Sequence, residues 1–230
     1  MPRIRGVILD IDGTLVDSND AHARAWVAAL AEHGLDVPYA QVRPLIGMGG
    51  DKLLPAVGGP SADSPDGKRI SARRSAIFKE RYLPKIQPFA NTRDLLAHMR
   101  ERGLNLAVAS SAKREELGPL LEAAGAQDLI EEQKKTSSSD ADSSKPDPDI
   151  VRAALDRLGL PPEQAIMIGD TPFDVEAARR AGIGTIALRC GGWHDHDLGG
   201  ALEVYRDPAD LLAHYDSSPL AAEGTERAER

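Results

Sequence analysis

Cysteine and basic tracts are scarce in this 230-residue chain. Its single cysteine, Cys190, cannot form a disulfide within the chain, and no thiol-activating motif surrounds it. We therefore predict that Cys190 is a structural thiol. Lys and Arg total 28 against 36 Asp and Glu, a net charge of −8, with no basic run. This charge distribution argues against nucleic acid as a partner.

Long apolar runs are also lacking. No stretch approaches the roughly 20 apolar residues that a helix needs to cross a bilayer. The first five residues, Met1-Pro2-Arg3-Ile4-Arg5, do not resemble the start of a signal peptide. We predict a cytoplasmic protein with no membrane partner. With 41% hydrophobic residues, the chain can form one large domain, or one domain with an insertion.

Short apolar runs alternate with helical patterns along most of the chain. The apolar runs predict buried strands at residues 4–9, 104–109, 165–168 and 184–188. Apolar residues at three- and four-residue spacing predict helices at 92–101, 115–124, 150–158 and 175–181. This alternation is typical of an α/β fold with a doubly wound, Rossmann-like parallel sheet.

The alternation stops between residues 17 and 87. Helical patterns cover residues 21–33 and 68–82, loops rich in glycine and proline connect them, and no strand pattern is present. We interpret residues 17–87 as an α-helical cap domain inserted after the first strand. Its hinges are predicted near 16–18 and 84–88.

The core domain then consists of residues 1–16 and 88–216. Within it, residues 136–149 are rich in Ser and Asp and are predicted to form a polar loop. Residues 217–230 are small and charged, so we expect a flexible tail.

Two carboxylates follow the first predicted strand, in the run Asp10-Ile11-Asp12-Gly13-Thr14. Residues two apart in a strand face the same way, so Asp10 and Asp12 converge unless the chain bends between them. Close like charges raise each other's pKa, and a divalent cation relieves the repulsion. The run therefore predicts a cation site at the end of this strand.

Other reactive side chains follow the later strands. Ser110 and Ser111 come after the second predicted strand and Asp170 after the third, while Lys145 precedes a helix that Pro146 helps to begin. Ligands in open α/β sheets bind beyond the carboxyl ends of the strands. We therefore expect these side chains to share one site with Asp10.

Taken in order, these residues resemble the haloacid dehalogenase-like superfamily of hydrolases, in the branch of phosphatases and β-phosphoglucomutases with a helical cap after the first strand. The matching signatures are Asp10-Ile11-Asp12-Gly13-Thr14, Ser110, Lys145-Pro146 and Gly169-Asp170-Thr171-Pro172-Phe173-Asp174. The resemblance covers nearly the whole chain. It implies a Mg²⁺-dependent phosphatase that hydrolyses a small phosphorylated metabolite, a sugar phosphate or a phosphoglycolate-like molecule, through an aspartyl-phosphate.

Phosphoryl transfer assigns roles to the acidic residues. Asp10 is the predicted nucleophile, because a carboxylate can attack a phosphate monoester and form an acyl phosphate. Asp12 is the predicted general acid and then general base. The predicted Mg²⁺ ligands are Asp10, the backbone carbonyl of Asp12, and Asp170. Asp174 is expected to hold a metal-bound water or Lys145 instead.

The transferring phosphoryl group needs hydrogen-bond donors and a cation. We predict that Ser110, Lys145 and the amides of Gly13 and Thr14 supply them. Ser111 either joins this set or caps the following helix. Taken singly, a residue such as Ser110 or Asp170 would more often be a cap or a turn residue; the ordered set favours the catalytic interpretation.

Two residues of the first cap helix have open roles. His22 either faces the site entrance and binds substrate, or is a surface histidine near the helix N-terminus. Trp26, one turn later, is predicted to lie in the cap core and not to serve as a platform for substrate.

The glycine-rich loop at residues 46–52 is predicted to approach the substrate closely. Lys52 is expected to be solvated; a contact with an anionic substrate is the alternative. Related β-phosphoglucomutases hold a second phosphate with a lysine and an arginine where this chain has Ile46 and Gly50. That departure favours hydrolysis over a phosphomutase.

The main alternative function is nevertheless a β-phosphoglucomutase-like phosphomutase. A haloacid dehalogenase is disfavoured because such enzymes lack the second acid, and Asp12 is present. A receiver domain accepts phosphate on its third strand and has no cap, and a non-catalytic binding module of the same fold would show no turnover. The sequence does not define which phosphorylated metabolite is the substrate, and it leaves monomer and homodimer open.

Overall fold

Within residues 3–221, six parallel strands form one sheet, in the order β3-β2-β1-β4-β5-β6. The structure is a computed structural model that describes residues 3–221. The strands are β1 (Gly6–Leu9), β2 (Asn105–Ala109), β3 (Lys135–Thr136), β4 (Ala165–Gly169), β5 (Gly184–Leu188) and β6 (Glu203–Tyr205). β1 lies between β2 and β4, and its residues are buried on both faces, which explains its continuous apolar sequence. The predicted α/β fold is confirmed.

Helices cover both faces of this sheet. The α-helices of the described residues are α1 (Asn19–Glu32), α2 (Tyr39–Val42), α3 (Gly50–Ala56), α4 (Pro65–Ile77), α5 (Thr92–Glu101), α6 (Arg114–Ala123), α7 (Asp149–Leu158), α8 (Pro172–Ala181) and α9 (Pro208–Ala213). The predicted helices correspond to α1 and α4 to α8. The end predicted for α4 differs because Phe78–Tyr82 continues it as a π-helix.

Successive side chains of β1 face two different apolar clusters, one on each side of the sheet. Val7 and Leu9 face one apolar cluster, which includes Leu95 of α5, while Ile8 faces the opposite cluster with Val151 of α7. Because both faces are filled by apolar side chains, the polar residues that follow the strands collect at the carboxyl edge of the sheet.

The elements between Asn19 and Lys85 are all helical. We refer to residues 17–87 as the cap segment. Its longest helices, α1 and α4, pack against each other. The division of the chain into separate core and cap domains stays a prediction.

The short strands β3 and β6 were not predicted from the sequence. β3 has two residues and β6 has three, too few to carry a recognisable apolar pattern. β3 begins just before the segment predicted as a polar loop, and Thr136 and Ser137 in that segment are buried. The predicted loop at 136–149 is therefore wrong at its start, where Thr136 belongs to the edge strand of the sheet and pairs with Ala109 of β2.

The tail predicted at 217–230 is also wrong at its start. Ser218 is buried and Leu220, only 6% exposed, packs into the main core cluster. Residues 222–230 lie outside the described residues. Among residues 3–221, none of the helices combines the length and the apolar character required to cross a bilayer.

Candidate active site

The site begins where β1 and β4 end. The Asp10 amide donates a hydrogen bond to the Ile168 carbonyl at 2.9 Å, which extends the pairing of the two strands and brings Asp10 beside Asp170. Gly13 then turns the chain with φ +83°, and a Cβ at this position would lie 2.2 Å from Asp170 Oδ2. Only glycine allows the loop to approach Asp170 this closely.

Three buried carboxylates, those of Asp10, Asp170 and Asp174, form a cluster in which ligand oxygens lie within 4.8 Å of one another. Burial raises the pKa of Asp10 to about 8, with Lys145 opposing the rise and Asp174 adding to it. Burial, followed by the charges of Asp174 and Asp10, raises the pKa of Asp170 well above its ordinary value. The cluster is thus short of positive charge.

Lys145 is fully buried between two of these carboxylates. Its Nζ pairs with Asp10 Oδ1 and lies 2.7 Å from Asp174 Oδ1. Burial lowers the pKa of Lys145, but the two carboxylates outweigh it, so the net pKa is raised and the ammonium keeps its charge. The sequence predicted that Lys145 shares one site with Asp10 and that Asp174 holds either a metal-bound water or Lys145, and the geometry brings the three side chains together.

The N-terminus of α8 fixes Asp174. Thr171 Oγ1 accepts a hydrogen bond from the Asp174 amide at 3.1 Å, and Asp174 Oδ2 accepts one from the Thr171 amide at 3.0 Å, a capping box. One carboxylate oxygen is thereby committed to the helix end. The other, Oδ1, is left for Lys145 and the acidic cluster.

Asp12 does not join that cluster. Its Oδ1 accepts a hydrogen bond from Ser18 Oγ at 2.5 Å and lies 2.8 Å from His22 Nε2. Burial raises the pKa of Asp12, but His22 and, to a smaller extent, Ser18 lower it by more than burial raises it. The net pKa of Asp12 is therefore below its usual value. The expectation that both members of the Asp10–Asp12 pair would have raised pKa values is wrong for Asp12, because the chain bends and turns this carboxylate toward α1.

The prediction that the amides of Gly13 and Thr14 bind phosphate is wrong as well. The Gly13 amide donates to the Val16 carbonyl at 2.9 Å and the Thr14 amide to the Ile11 carbonyl at 3.2 Å, so both are used within the loop. Thr14 contributes its hydroxyl instead, which donates to Asp170 Oδ1 at 3.0 Å. Within the described part of the chain, the amides of Ile11 and Asp12 form no hydrogen bond, which leaves them as donors beside Asp10.

The two serines after β2 differ in position. Ser110 is fully buried, and its Oγ accepts a hydrogen bond from the Ala112 amide at 3.1 Å, which leaves its own proton free to donate. Ser111 lines the cavity beside Asp10 and Asp12, and its Oγ donates to the Gly47 carbonyl at 3.1 Å. Ser111 therefore connects the core to the cap segment and does not cap the helix.

Cap residues form the opposite wall of this cavity. His22 lies within the cavity wall, buried and stacked on Phe78 with ring centroids 3.9 Å apart, so the alternative of a surface histidine is wrong. Trp26 is 3% exposed and lines the cavity too, so it belongs to the cap core and also faces the site. A further wall residue that the sequence analysis missed is Arg74.

Lys52 is not a solvated residue, contrary to prediction. Its Nζ lies 2.7 Å from Asp147 Oδ2 and also donates to the Ser144 carbonyl, and both of these residues lie outside the cap segment. The neighbouring Gly49 amide donates to Ser144 Oγ at 3.1 Å. The loop at 46–52 therefore approaches the site, as predicted, and is held there by contacts with the segment that carries Lys145.

Asn19 and Gly191 complete the acidic cluster, and neither was predicted. Asn19 Nδ2 donates to Asp170 Oδ2 at 2.8 Å and to the Gly191 carbonyl at 3.1 Å. A Cβ on Gly191 would lie 1.7 Å from Asp170 Oδ2. Gly191 follows β5, so the rule that site residues follow strand ends could have found it; Asn19 carries no such signal.

The donor set fits a hard divalent cation. Carboxylate oxygens are the ligands that such cations prefer. Three carboxylates against one ammonium leave a formal excess of two negative charges, the charge that one divalent cation neutralises. Asn19 Oδ1, beside Asp170, is buried and has no hydrogen-bond partner among residues 3–221. These features support a metal ion bound by Asp10 and Asp170.

Comparisons with known proteins agree with this site. The sequence profile of the haloacid dehalogenase-like hydrolases matches residues 7–188. The chain therefore belongs to the haloacid dehalogenase-like hydrolase family, and the predicted family is confirmed.

Individual relatives cover almost the whole chain. Phosphoglycolate phosphatase of Rhodospirillum rubrum is 33% identical over 217 residues, 90% of this chain and 89% of that protein. N-acetylmuramic acid 6-phosphate phosphatase of Pseudomonas aeruginosa is 29% identical over 197 residues, 85% of this chain and 86% of that protein. The structure of a hydrolase from Pseudomonas syringae superposes with a TM-score of 0.85 at 29% identity, over 93% of this chain and 98% of that one.

Proposed function

We propose that this chain is a Mg²⁺-dependent phosphatase that hydrolyses a small phosphorylated metabolite through an aspartyl-phosphate on Asp10. The observation that carries the proposal is the placement of Asp10: it directly follows β1, contacts Lys145, and lines a cavity that Asp12 also lines. Phosphatases of small phosphorylated molecules among the relatives support the same class of reaction.

The negative charge of the bound phosphate opposes the ionisation of Asp12, so its carboxyl carries a proton when substrate is present. In the first step, an Asp10 oxygen attacks phosphorus, the bond between phosphorus and the leaving oxygen breaks, and the Asp12 carboxyl gives its proton to that oxygen. In the second, Asp12 takes a proton from water, whose oxygen attacks phosphorus and releases Asp10 and phosphate. Lys145 and Ser110 stabilise the negative charge of the phosphoryl oxygens. A Mg²⁺ ion held by Asp10, Asp170 and the Asp12 carbonyl would neutralise further charge there.

The cap segment has a defined part in this reaction. Ser18 and His22 hold the Asp12 carboxylate on the cavity side, away from the acidic cluster. Trp26 and Met48 help to enclose the cavity, which limits the access of water to the aspartyl-phosphate. The cap thus orients the general acid and shields the intermediate.

Release of inorganic phosphate from p-nitrophenyl phosphate and from a panel of phosphorylated sugars, acids and nucleotides tests the proposal. We expect Mg²⁺-dependent turnover that Asp10→Asn abolishes. Asp17→Asn, outside the acidic cluster, is the control and should retain activity. Turnover of no compound in the panel would refute the phosphatase, and transfer of phosphate between two positions of a sugar without its release would establish the phosphomutase. A cytoplasmic location and a monomeric or homodimeric state stay predictions.

A further inference from the structure

Arg74, in the last turn of α4, lines the cavity that contains Asp10 and Asp12 and is only 7% exposed. Its Nη1 donates to both oxygens of Glu116 in α6, at 3.1 and 3.3 Å, and Glu116 is fully buried. The guanidinium carbon lies 5.3 Å from the centroid of the Trp26 ring, a cation–π distance. The guanidinium is therefore held in place on two sides.

One edge of this guanidinium forms no hydrogen bond within residues 3–221. Nε of Arg74 is buried and forms no hydrogen bond with any described residue. Glu116 engages Nη1, so the Nε–Nη2 edge, which binds a carboxylate through two parallel hydrogen bonds, is left over. A buried donor without an acceptor is costly, and a bound molecule that supplied the acceptor would remove that cost.

The distance from the general acid limits the size of that molecule. His22 lies between the two groups: its Nε2 is 2.8 Å from Asp12 Oδ1, and its Nδ1 is 3.5 Å from Arg74 Nη1. One imidazole ring therefore separates Asp12 from Arg74. A leaving group that reaches both needs about two or three carbon atoms between its ester oxygen and its second polar group.

We propose that the free edge of Arg74 binds the carboxylate of a short phosphorylated hydroxy acid. A carboxylate matches the two parallel donors. Its single charge also suits a guanidinium that Glu116 already pairs, better than the two charges of a second phosphate would. The inference rests on the phosphatase function proposed above and names the class of its substrate.

The test is the ratio of kcat/KM for 2-phosphoglycolate to that for 2-hydroxyethyl phosphate, in which a hydroxymethyl group replaces the carboxylate. For the unaltered protein we expect a ratio of about 10 to 100, the contribution of hydrogen bonds to a charged group. Arg74→Lys keeps the positive charge beside Glu116 but lacks the two parallel N–H donors of the guanidinium. It should lower the ratio about tenfold or more. Arg73→Lys, on the adjacent surface residue that pairs with Glu32, is the matched control and should leave both rates unchanged.

The outcomes separate this inference from the proposed function. A ratio near one, or a preference for hexose phosphates over both compounds, overturns the carboxylate site while the protein remains a phosphatase. Equal loss of both rates in Arg74→Lys assigns Arg74 a structural role and also overturns it. Absence of turnover with every phosphorylated compound refutes the phosphatase itself. The ratio for the unaltered protein needs no variant, so it decides the question even if Arg74→Lys does not fold.

Discussion

His22 Nε2 lies 2.8 Å from Asp12 Oδ1, so a cap residue determines where the second carboxylate of the active site points. The stack of His22 on Phe78 fixes the imidazole in turn. Asp12, which donates the proton in the proposed reaction, follows a strand of the sheet but is oriented by a residue of the cap segment.

Replacing His22 with Phe keeps an aromatic ring against Phe78 but removes the hydrogen bond to Asp12. We expect kcat to fall about 10- to 100-fold, part of the contribution of general acid–base catalysis, with little change in melting temperature. Steady-state kinetics with p-nitrophenyl phosphate measures this. His33→Phe, at the exposed end of α1, is the control, and an unchanged kcat in His22→Phe would show that Asp12 needs no partner.

Gly191→Ala should impair the site, because its Cβ would lie 1.7 Å from Asp170 Oδ2. We expect at least about a 100-fold loss of kcat/KM, consistent with displacement of a catalytic group. Gly118→Ala is the control: nothing lies within 4 Å of its Cβ, and this helical position should be stabilised by up to about 1 kcal/mol. Full activity in Gly191→Ala would mean that Asp170 can move without consequence.

Metal addition should raise the melting temperature, because a divalent cation neutralises the excess charge at Asp10, Asp170 and Asp174. At Mg²⁺ concentrations about 100 times the Kd, binding adds about 2.7 kcal/mol to the free energy of unfolding. Thermal melts with Mg²⁺ and with EDTA measure the shift. Asp170→Asn should raise the melting temperature in EDTA and shrink the shift, whereas Asp128→Asn, on the surface, should leave the shift unchanged. An equal shift in Asp170→Asn would place the metal elsewhere.

Leu220→Ala should destabilise the protein by about 2 kcal/mol, the lower range for truncation of a buried leucine. Its side chain packs into the main core cluster although it lies near the end of the described residues. Urea unfolding measures the free energy of unfolding. Leu202→Ala, at a leucine that is 52% exposed, should cost less than about 1 kcal/mol. Equal effects of the two substitutions would contradict the packing of Leu220.

The sheet and the acidic cluster could be predicted because each depends on a short stretch of sequence. The strand before Asp10 is a continuous apolar run, and Asp170 follows another, so the topology of a parallel sheet brings them to one edge. Lys145 was found by its place in an ordered set of signatures. These features need no knowledge of how helices pack.

The remaining parts of the site depend on tertiary packing, which leaves no local signal. Asn19 and Arg74 reach the site because α1 and α4 pack together at the carboxyl edge of the sheet. Lys52 is paired only because its loop meets the segment around Asp147. The amides of Gly13 and Thr14 were misassigned because the loop satisfies them internally, a choice among turn geometries that the residue types leave open.

Asn19 belongs to the cap segment, yet it donates to Asp170 Oδ2 and to the Gly191 carbonyl, and Arg43 Nη2, also from the cap segment, donates to the same carbonyl at 2.5 Å. The proposed metal site and the contact between the cap segment and the sheet thus share hydrogen bonds. Binding of the metal and docking of the cap segment are therefore thermodynamically linked. Whatever factor the docked cap contributes to the affinity for the cation, the cation contributes the same factor to docking of the cap.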